Sequence, residues 1–257
     1  MNAAYTADLV RIREDGDDAT MDLGYIESTG QLDTTGIAAF QGANDLFVAR
    51  LWDQSGNGFD LSQGTALDQP GFEFDAGLGK WVLTFNGVNQ SLTLLNNTML
   101  DVTTGAVSLA LGAAVGDMPA VGPVLSKKGI GVNNAGYRMQ YSIAEAVAIR
   151  IGDGDESIIS SSVSPGIDTW HWTLGTASAV SGGNRTTTFY LNGSQSDTDT
   201  SVTGTFGSST NASVLRMGLM SSEEYIGSVN MASIWLSVPG AGDIAIMDNW
   251  FTTESIP

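Results

Sequence analysis

The chain contains no cysteine, 6 prolines and a single histidine, and its 28 acidic residues face 10 basic ones across 257 positions. Without cysteine there is no disulfide framework, no thiolate zinc site and no cysteine nucleophile, so the fold has to hold by packing. Cations are scarce enough to give a formal net charge of -18. A chain this acidic is repelled by nucleic acid and by anionic membrane surfaces, whose binding requires Lys and Arg to displace condensed counterions. Long hydrophobic runs are missing as well. The least polar stretch, residues 105–125, is cut by Asp117, Pro119 and Pro123, which excludes direct membrane insertion as a helix. Residues 1–8 show neither a basic segment nor an apolar one, so no export signal is visible there.

What the sequence has is alternation and glycine. Trp170, Trp172 and Leu174 fall on one face against His171 and Thr173, and Phe189 and Leu191 against Tyr190, the period of half-buried strands. Between such runs lie Asn86-Gly87, Asp153-Gly154, Gly182-Gly183-Asn184 and Asn192-Gly193, where positive φ is cheap and hairpins close. The polar stretch from Gly193 to Asn211 reads as a long surface hairpin, and Gln63 to Gly79 as a soft connection inside one domain. Helical spacing is confined to Asp33–Phe40, with Asp33 placed to cap it, and to Asp243–Phe251. The expectation is an all-β protein: one antiparallel β-sandwich over residues 1–257 with one or two short helices, residues 1–79 forming an edge segment packed on residues 80–257.

The order of signals from Lys80 onward resembles the concanavalin A-like, laminin G-like jelly roll. Leu83-Thr84-Phe85-Asn86-Gly87-Val88-Asn89-Gln90-Ser91-Leu92 resembles that family's opening hairpin, and Val124 to Lys128 with Gly136 to Met139 its next strand pair. Asp168 to Leu174 is similar to its Trp-His strand, and Thr188 to Gly193, Leu215 to Gly218 and Tyr225 to Trp235 to its closing strands. The N-terminal part, with Leu9-Val10-Arg11-Ile12-Arg13, Leu32 to Thr35 and above all Leu51-Trp52-Asp53-Gln54-Ser55-Gly56-Asn57-Gly58, is similar to the segment preceding such jelly rolls in bacteriophage virion proteins and in arabinofuranosidase B-type glycosidases.

Several residues are candidates for chemistry. Asp53 to Gly58 converge enough polar groups for a ligand loop, against the alternative of a self-satisfied turn. Trp81, Tyr137, Tyr225 and Trp250 can stack on sugar C–H faces if exposed, against the alternative of core packing. Calcium is the ion that Asp15-Gly16-Asp17-Asp18 or Asp153-Gly154-Asp155-Glu156 would suit, with Asp153, Asp155 and Glu156 as the ligands, against solvated hairpin tips. His171, between two tryptophans, reads as packed in preference to catalytic. Asp117, Glu145, Asp153, Asp155, Glu156, Glu223 and Glu224 supply carboxylates for a two-carboxylate hydrolase. The arabinofuranosidase resemblance would place catalytic strands near Asp117 to Gly122 and Met220 to Tyr225, where Asp117-Met118-Pro119-Ala120 carries no Glu.

No catalytic residue is assigned on these grounds. The resemblance implies a structural or adhesive bacteriophage virion protein (tail fibre, receptor-binding or capsid-decoration), acting by binding. Its implied location is the virion, with extracellular as the alternative. Its expected partners are sibling chains or other virion proteins, and a neutral cell-surface glycan, since net charge disfavours acidic ones. The alternatives are a glycosidase of arabinofuranosidase type and a free lectin.

Overall fold

A computed structural model describes residues 8–26, 31–117, 121–128, 135–142, 144–155, 157–162, 164–200, 206–220 and 223–250. It is an all-β antiparallel sandwich with two short α-helices. Its strands form two layers. In one, Ser194–Thr200 pairs with Thr186–Leu191, then in order follow His171–Ala177, Val107–Val115, Ile226–Trp235, Lys80–Asn86, Gly71–Asp75, Leu46–Leu51, Val10–Glu14 and Thr20–Leu23. In the other, Ser157–Ser161 pairs with Val147–Gly152, followed by Gly136–Tyr141, Gly122–Lys128, Leu215–Met217, Leu92–Leu94 and Leu61–Ser62, which again reaches Leu46–Leu51. The N-terminal strands therefore build into both layers and are not merely laid against an edge.

Leu46–Leu51 is the strand the layers share. One of its edges pairs along its length with Val10–Glu14; the other is divided, Phe47 pairing with Gly71 and Arg50 and Leu51 with Ser62 and Leu61. At the division the register with Val10–Glu14 shifts, Ile12 opposing Val48 while Arg11 opposes Arg50. A bulge of this kind bends and twists a strand, which carries this one from the first layer to the second.

At the opposite end the layers are tied by polar contacts. Ser160 Oγ lies 2.6 Å from Thr187 Oγ1 and 3.1 Å from the Thr187 carbonyl, and the Ser161 amide donates to Asp197 Oδ2 at 2.9 Å. Between the layers sits the core, with Leu109, Leu111, Val115, Met139, Ile149, Ile151 and Phe189 fully buried. The layers approach so closely that a Cβ on Gly175 would lie 2.4 Å from the Cβ of Ile149, so only glycine fits there.

Alternation in His171–Ala177 is genuine, but both of its faces are buried. Thr173 and His171 oppose Leu111 and Ala113, which belong to the main core. Trp172 and Leu174 point to the other face, where with Ala110 they form a second cluster capped by Ile244 and Met247 of the helix Ala241–Trp250. Trp172 Nε1 donates to Asp248 Oδ1 at 3.0 Å, fixing that helix. The other helix spans Ile37–Gln41, and Asp33 does not cap it: its Oδ1 accepts from the Thr35 amide at 2.9 Å in a local turn, leaving Gly36 as the cap residue. The Asn192-Gly193 turn forms as the sequence suggests, with φ of 47° and 77°, and Ser194–Thr200 is the returning strand; part of the Gly193 to Asn211 stretch, residues 201–205, lies outside the described residues.

His171 is 1 % exposed. The Thr169 carbonyl, 2.8 Å from Nδ1, can only accept, so Nδ1 carries the proton and Nε2 accepts from the Tyr141 hydroxyl. Burial lowers the His171 pKa to about 4, against a partial upward pull from the Thr169 carbonyl. The unfolded chain therefore takes up a proton below about pH 6.5 that the folded chain refuses until about pH 4, and stability falls as pH drops through that window, by roughly 1.4 kcal/mol per unit. In urea titrations, the stability advantage of the wild type over His171→Gln is expected to shrink steadily from pH 7 to pH 4.5; an advantage independent of pH would show that this imidazole is not the group responsible.

Candidate functional site

Past the single pair Phe47 and Gly71, the strands Leu46–Leu51 and Gly71–Asp75 pair no further. Their divergence opens a cleft of about 550 Å³. Gly71 sits at its neck, directly opposite Thr84 of Lys80–Asn86, where a Cβ would lie 2.3 Å from Thr84 Oγ1, so a side chain there would collide with the strand on its other edge. Phe74 and Trp81, opposite one another across the Gly71–Asp75 ladder, line the cleft from one face of that ladder, and Glu73 and Thr84 from the other. Trp81 is stacked on Phe72 at 4.9 Å and meets Phe74 edge-on at 5.9 Å, while the Phe74 ring itself is 54 % exposed. Glu73, Asp45 and Gln41 bring polar groups to the lining. Thr84 Oγ1 donates to Glu73 Oε1 at 3.1 Å, and Asp45 is held through its backbone, its amide donating to Asp15 Oδ1 at 3.0 Å. Asn86 and Gln90 complete the cleft through the adjoining turn, the Asn86 amide donating to Gln90 Oε1 at 2.8 Å.

The lining thus pairs exposed aromatic surface with carboxylate and amide acceptors and has no cationic side chain. Such a combination suits a neutral ligand rich in hydroxyls and C–H faces. It suits acid–base cleavage less well. A glycosidase's general acid sits in an apolar pocket that keeps it protonated, and both Asp45 and Glu73 are exposed.

The residues anticipated from sequence are scattered. Trp81 lies in the cleft wall. Tyr225 and Tyr137 do not serve as platforms: they are 0 % and 1 % exposed. The Tyr225 hydroxyl donates to the Ala114 carbonyl at 2.8 Å and its ring stacks on Tyr141, while Tyr137 donates to the Leu100 carbonyl at 3.1 Å. Burial pushes both phenols far above the usual tyrosine range, with Tyr141 adding to the effect on Tyr225 and Asp101 to that on Tyr137. The side chain of Trp250 lies outside the described residues.

Asp53 is the hub of its own loop. Its oxygens accept from the Ser55 amide (2.9 Å), the Ser55 hydroxyl (2.6 Å), the Asn57 amide (3.1 Å) and the Phe59 amide (3.1 Å), so the loop closes on its own carboxylate. Burial alone would raise its pKa; the bonds from Ser55, Phe59 and Asn57 outweigh that and hold the carboxyl below the usual range. Next to it Trp52 is flanked by the Arg11 and Arg50 guanidiniums, each 5.3 Å from its ring. The Leu51 to Gly58 block is therefore a structural clasp.

Asp153 and Asp155 are not assembled around an ion. Asp153 Oδ1 accepts from the Asp155 amide at 3.0 Å and Oδ2 from the Gly207 amide at 2.5 Å, closing a turn onto a neighbouring loop. Glu156 lies outside the described residues, and among those described no group of three His, Asp or Glu side chains is gathered for a metal. In the Asp15 to Asp18 turn, Asp15 accepts from Asp45 and Asp18 from Arg13 (2.8 Å).

The sequence matches no protein-family model and no curated protein sequence. Solved structures do resemble it. An arabinofuranosidase complexed with arabinofuranosyl-alpha-1,2-xylobiose superposes with a TM-score of 0.71 at 10 % identity, over 96 % of this chain and 59 % of that one. The binding domain of Paraclostridial Mosquitocidal Protein 1 gives 0.58 at 14 % identity over 79 % and 50 %, and that of botulinum neurotoxin serotype G 0.56 at 12 % over 96 % and 51 %. The likeness is one of fold. This chain spans about three-fifths of the arabinofuranosidase's length.

Glu73 and Phe74 carry no signal of a site because Gln63 to Gly79 looks like a connection, and Asp45 stands in no motif. The available signal was Phe72 and Phe74 alternating with Glu73 just before the Trp81 strand. As a test of the clasp, Asp53→Ala is expected to destabilise the chain by about 1 kcal/mol, the net worth of a hydrogen-bonded turn whose Ser55 and Asn57 donors can turn to water. Chemical unfolding measures this, and ligand binding by the folded variant should be unchanged.

Proposed function

We propose that this chain binds a neutral carbohydrate in the cleft between Leu46–Leu51 and Gly71–Asp75, without cleaving it. The observation that carries the reading is the juxtaposition of the exposed Phe74 ring and Trp81 with Asp45, Glu73 and Gln41 in a space of about 550 Å³. Apolar ring faces take sugar C–H groups, and the acidic and amide acceptors take hydroxyl protons, an arrangement that orients a sugar while excluding anions. One small cleft with few anchors yields weak affinity per site, so useful adhesion requires many copies on one particle. The N-terminal resemblance to virion proteins supplies such a particle, and we assign the chain an adhesive or structural role on a bacteriophage virion, among sibling chains.

The probe of choice is arabinofuranosyl-xylobiose, which the structurally similar arabinofuranosidase holds, alongside a panel of neutral oligosaccharides. Phe74→Ala, at an exposed position whose loss spares the core, is expected to weaken the interaction by about 1 kcal/mol or more in titration calorimetry. Absence of binding to every neutral sugar, or binding indifferent to Phe74, would overturn the assignment. Turnover of an aryl arabinofuranoside that Glu73→Gln or Asp45→Asn abolishes would replace it with the hydrolase reading. For the virion role, mass spectrometry of purified particles should find the chain in many copies.

A further inference from the structure

The second layer carries an unusual charge pattern on its outer face. In Gly136–Tyr141 the residues Tyr137, Met139 and Tyr141 enter the core, so Arg138 and Gln140 leave on the opposite side. By the same alternation Arg150 leaves Val147–Gly152 opposite Ile149 and Ile151, and Arg216 leaves Leu215–Met217 opposite Leu215 and Met217. Lys127 turns inward to Asp101 at 2.5 Å, which sends Ser126 and Lys128 outward. Register then aligns them: Arg216 opposes Ser126, Ser126 opposes Arg138, and Arg138 opposes Arg150. Four of the 10 basic residues of this acidic chain, Lys128, Arg138, Arg150 and Arg216, share one face of one sheet.

Like charges directly opposite on neighbouring strands destabilise a sheet, their Cβ atoms being only about 5 Å apart. The Arg138 and Arg150 pair bears that cost where it is greatest. Arg138 is 4 % exposed and Gln140 5 %, Lys128 and Ser126 are buried as well, and Arg150 and Arg216 are the half-buried members of the row. Glu223 pairs with Arg138 Nη1, and Arg150 Nη2 donates to Ser157 Oγ at 3.0 Å. Arg138 Nε, Arg150 Nε and Gln140 Oε1 are nevertheless buried with no hydrogen-bond partner. Burial, then the proximity of Arg138 and Arg150, lowers the Lys128 pKa to about 8 against an opposing pull from Glu223, which reports the same surplus of positive charge.

We propose that this face is a second binding site, for the carboxylate of an acidic sugar, with Arg138 and Arg150 facing the carboxylate and Gln140 accepting from a neighbouring hydroxyl. A planar carboxylate between two guanidiniums converts their repulsion into two charge-assisted contacts. The net charge of -18 does not forbid this. At physiological ionic strength screening acts over about 8 Å, so remote acids count little at the site itself, where Glu223 is the acid in contact and Lys128, Arg138, Arg150 and Arg216 outnumber it. The neutral-sugar cleft lies in the other layer, where Leu46–Leu51 and Gly71–Asp75 diverge.

The test titrates the whole chain with a galacturonic acid dimer, its neutral galactose counterpart, inorganic phosphate and inorganic sulfate, at low and high salt, following heat and melting temperature. The uronate is expected to bind, to raise the melting temperature and to weaken as salt increases. Arg150→Gln, chosen because Arg150 is half-buried, should cost at least tenfold in uronate affinity yet melt no lower than wild type without ligand, since it removes a like-charge neighbour. Phe74→Ala should leave uronate affinity unchanged, which separates this site from the cleft. Uronate binding lost in Phe74→Ala and kept in Arg150→Gln would overturn the proposal, as would phosphate or sulfate binding as tightly as uronate, or no uronate binding at all.

Discussion

A strand has two edges, and Leu46–Leu51 divides one of them between two sheets. That partition governs the rest of the architecture. Because Phe47 is committed to Gly71 while Arg50 and Leu51 are committed to Ser62 and Leu61, the sandwich is joined at this end by backbone hydrogen bonds, without an open seam. The same commitment forces Gly71–Asp75 away from its neighbour after one residue pair. The cleft is thus the geometric remainder of closing the sandwich.

The clasp that follows the shared strand explains why the motif around Trp52 and Asp53 is the most recognisable segment of the N-terminal part. Two guanidiniums flank the Trp52 ring, Arg50 pairs with Asp60 at 2.5 Å, and Arg11 pairs with Asp22 at 2.6 Å. These partly exposed ion pairs are individually weak, but they hold the strand's exit while Asp53 gathers the loop amides. A segment that fixes how two sheets meet is constrained in nearly every side chain, and so reads as a signature without touching a ligand.

Legibility follows from this distinction. Alternation and Asx-Gly turns are local, so the strands around Trp172 and Phe189 and the Asn192-Gly193 turn could be read from the chain. Which face of a strand meets which neighbour is not local. Trp172 and His171 both read as packed, and both are, but only register shows that His171 faces the main core and Trp172 lies beneath the terminal helix. Tyr225 and Tyr137 looked like sugar platforms because a ring and a hydroxyl serve equally well in a core, provided that the hydroxyl finds a carbonyl, as both do. The basic row was least legible. Arg138, Arg150 and Arg216 are far apart in sequence, and only strand register places the first two side by side.

Net charge is a property of the chain, whereas recognition depends on the field within a screening length. Arg11, Arg13 and Arg50 are spent on clasping the N-terminal strands to Asp22, Asp18 and Asp60, and Lys127 on a buried pair with Asp101; Arg138 has Glu223, one acid beside a row of four cations. With so few cations, each one left elsewhere needs a reason. A solvated surface asks for none on the outer face of the second layer, since the 28 acidic residues already keep the protein soluble. Placing guanidiniums opposite one another at 4 % exposure for Arg138 costs both desolvation and repulsion. Of the forces acting on that face, attraction to a bound anion is the one that grows stronger as water is excluded, so the burial that makes the row expensive in the empty protein is also what would make it effective when filled.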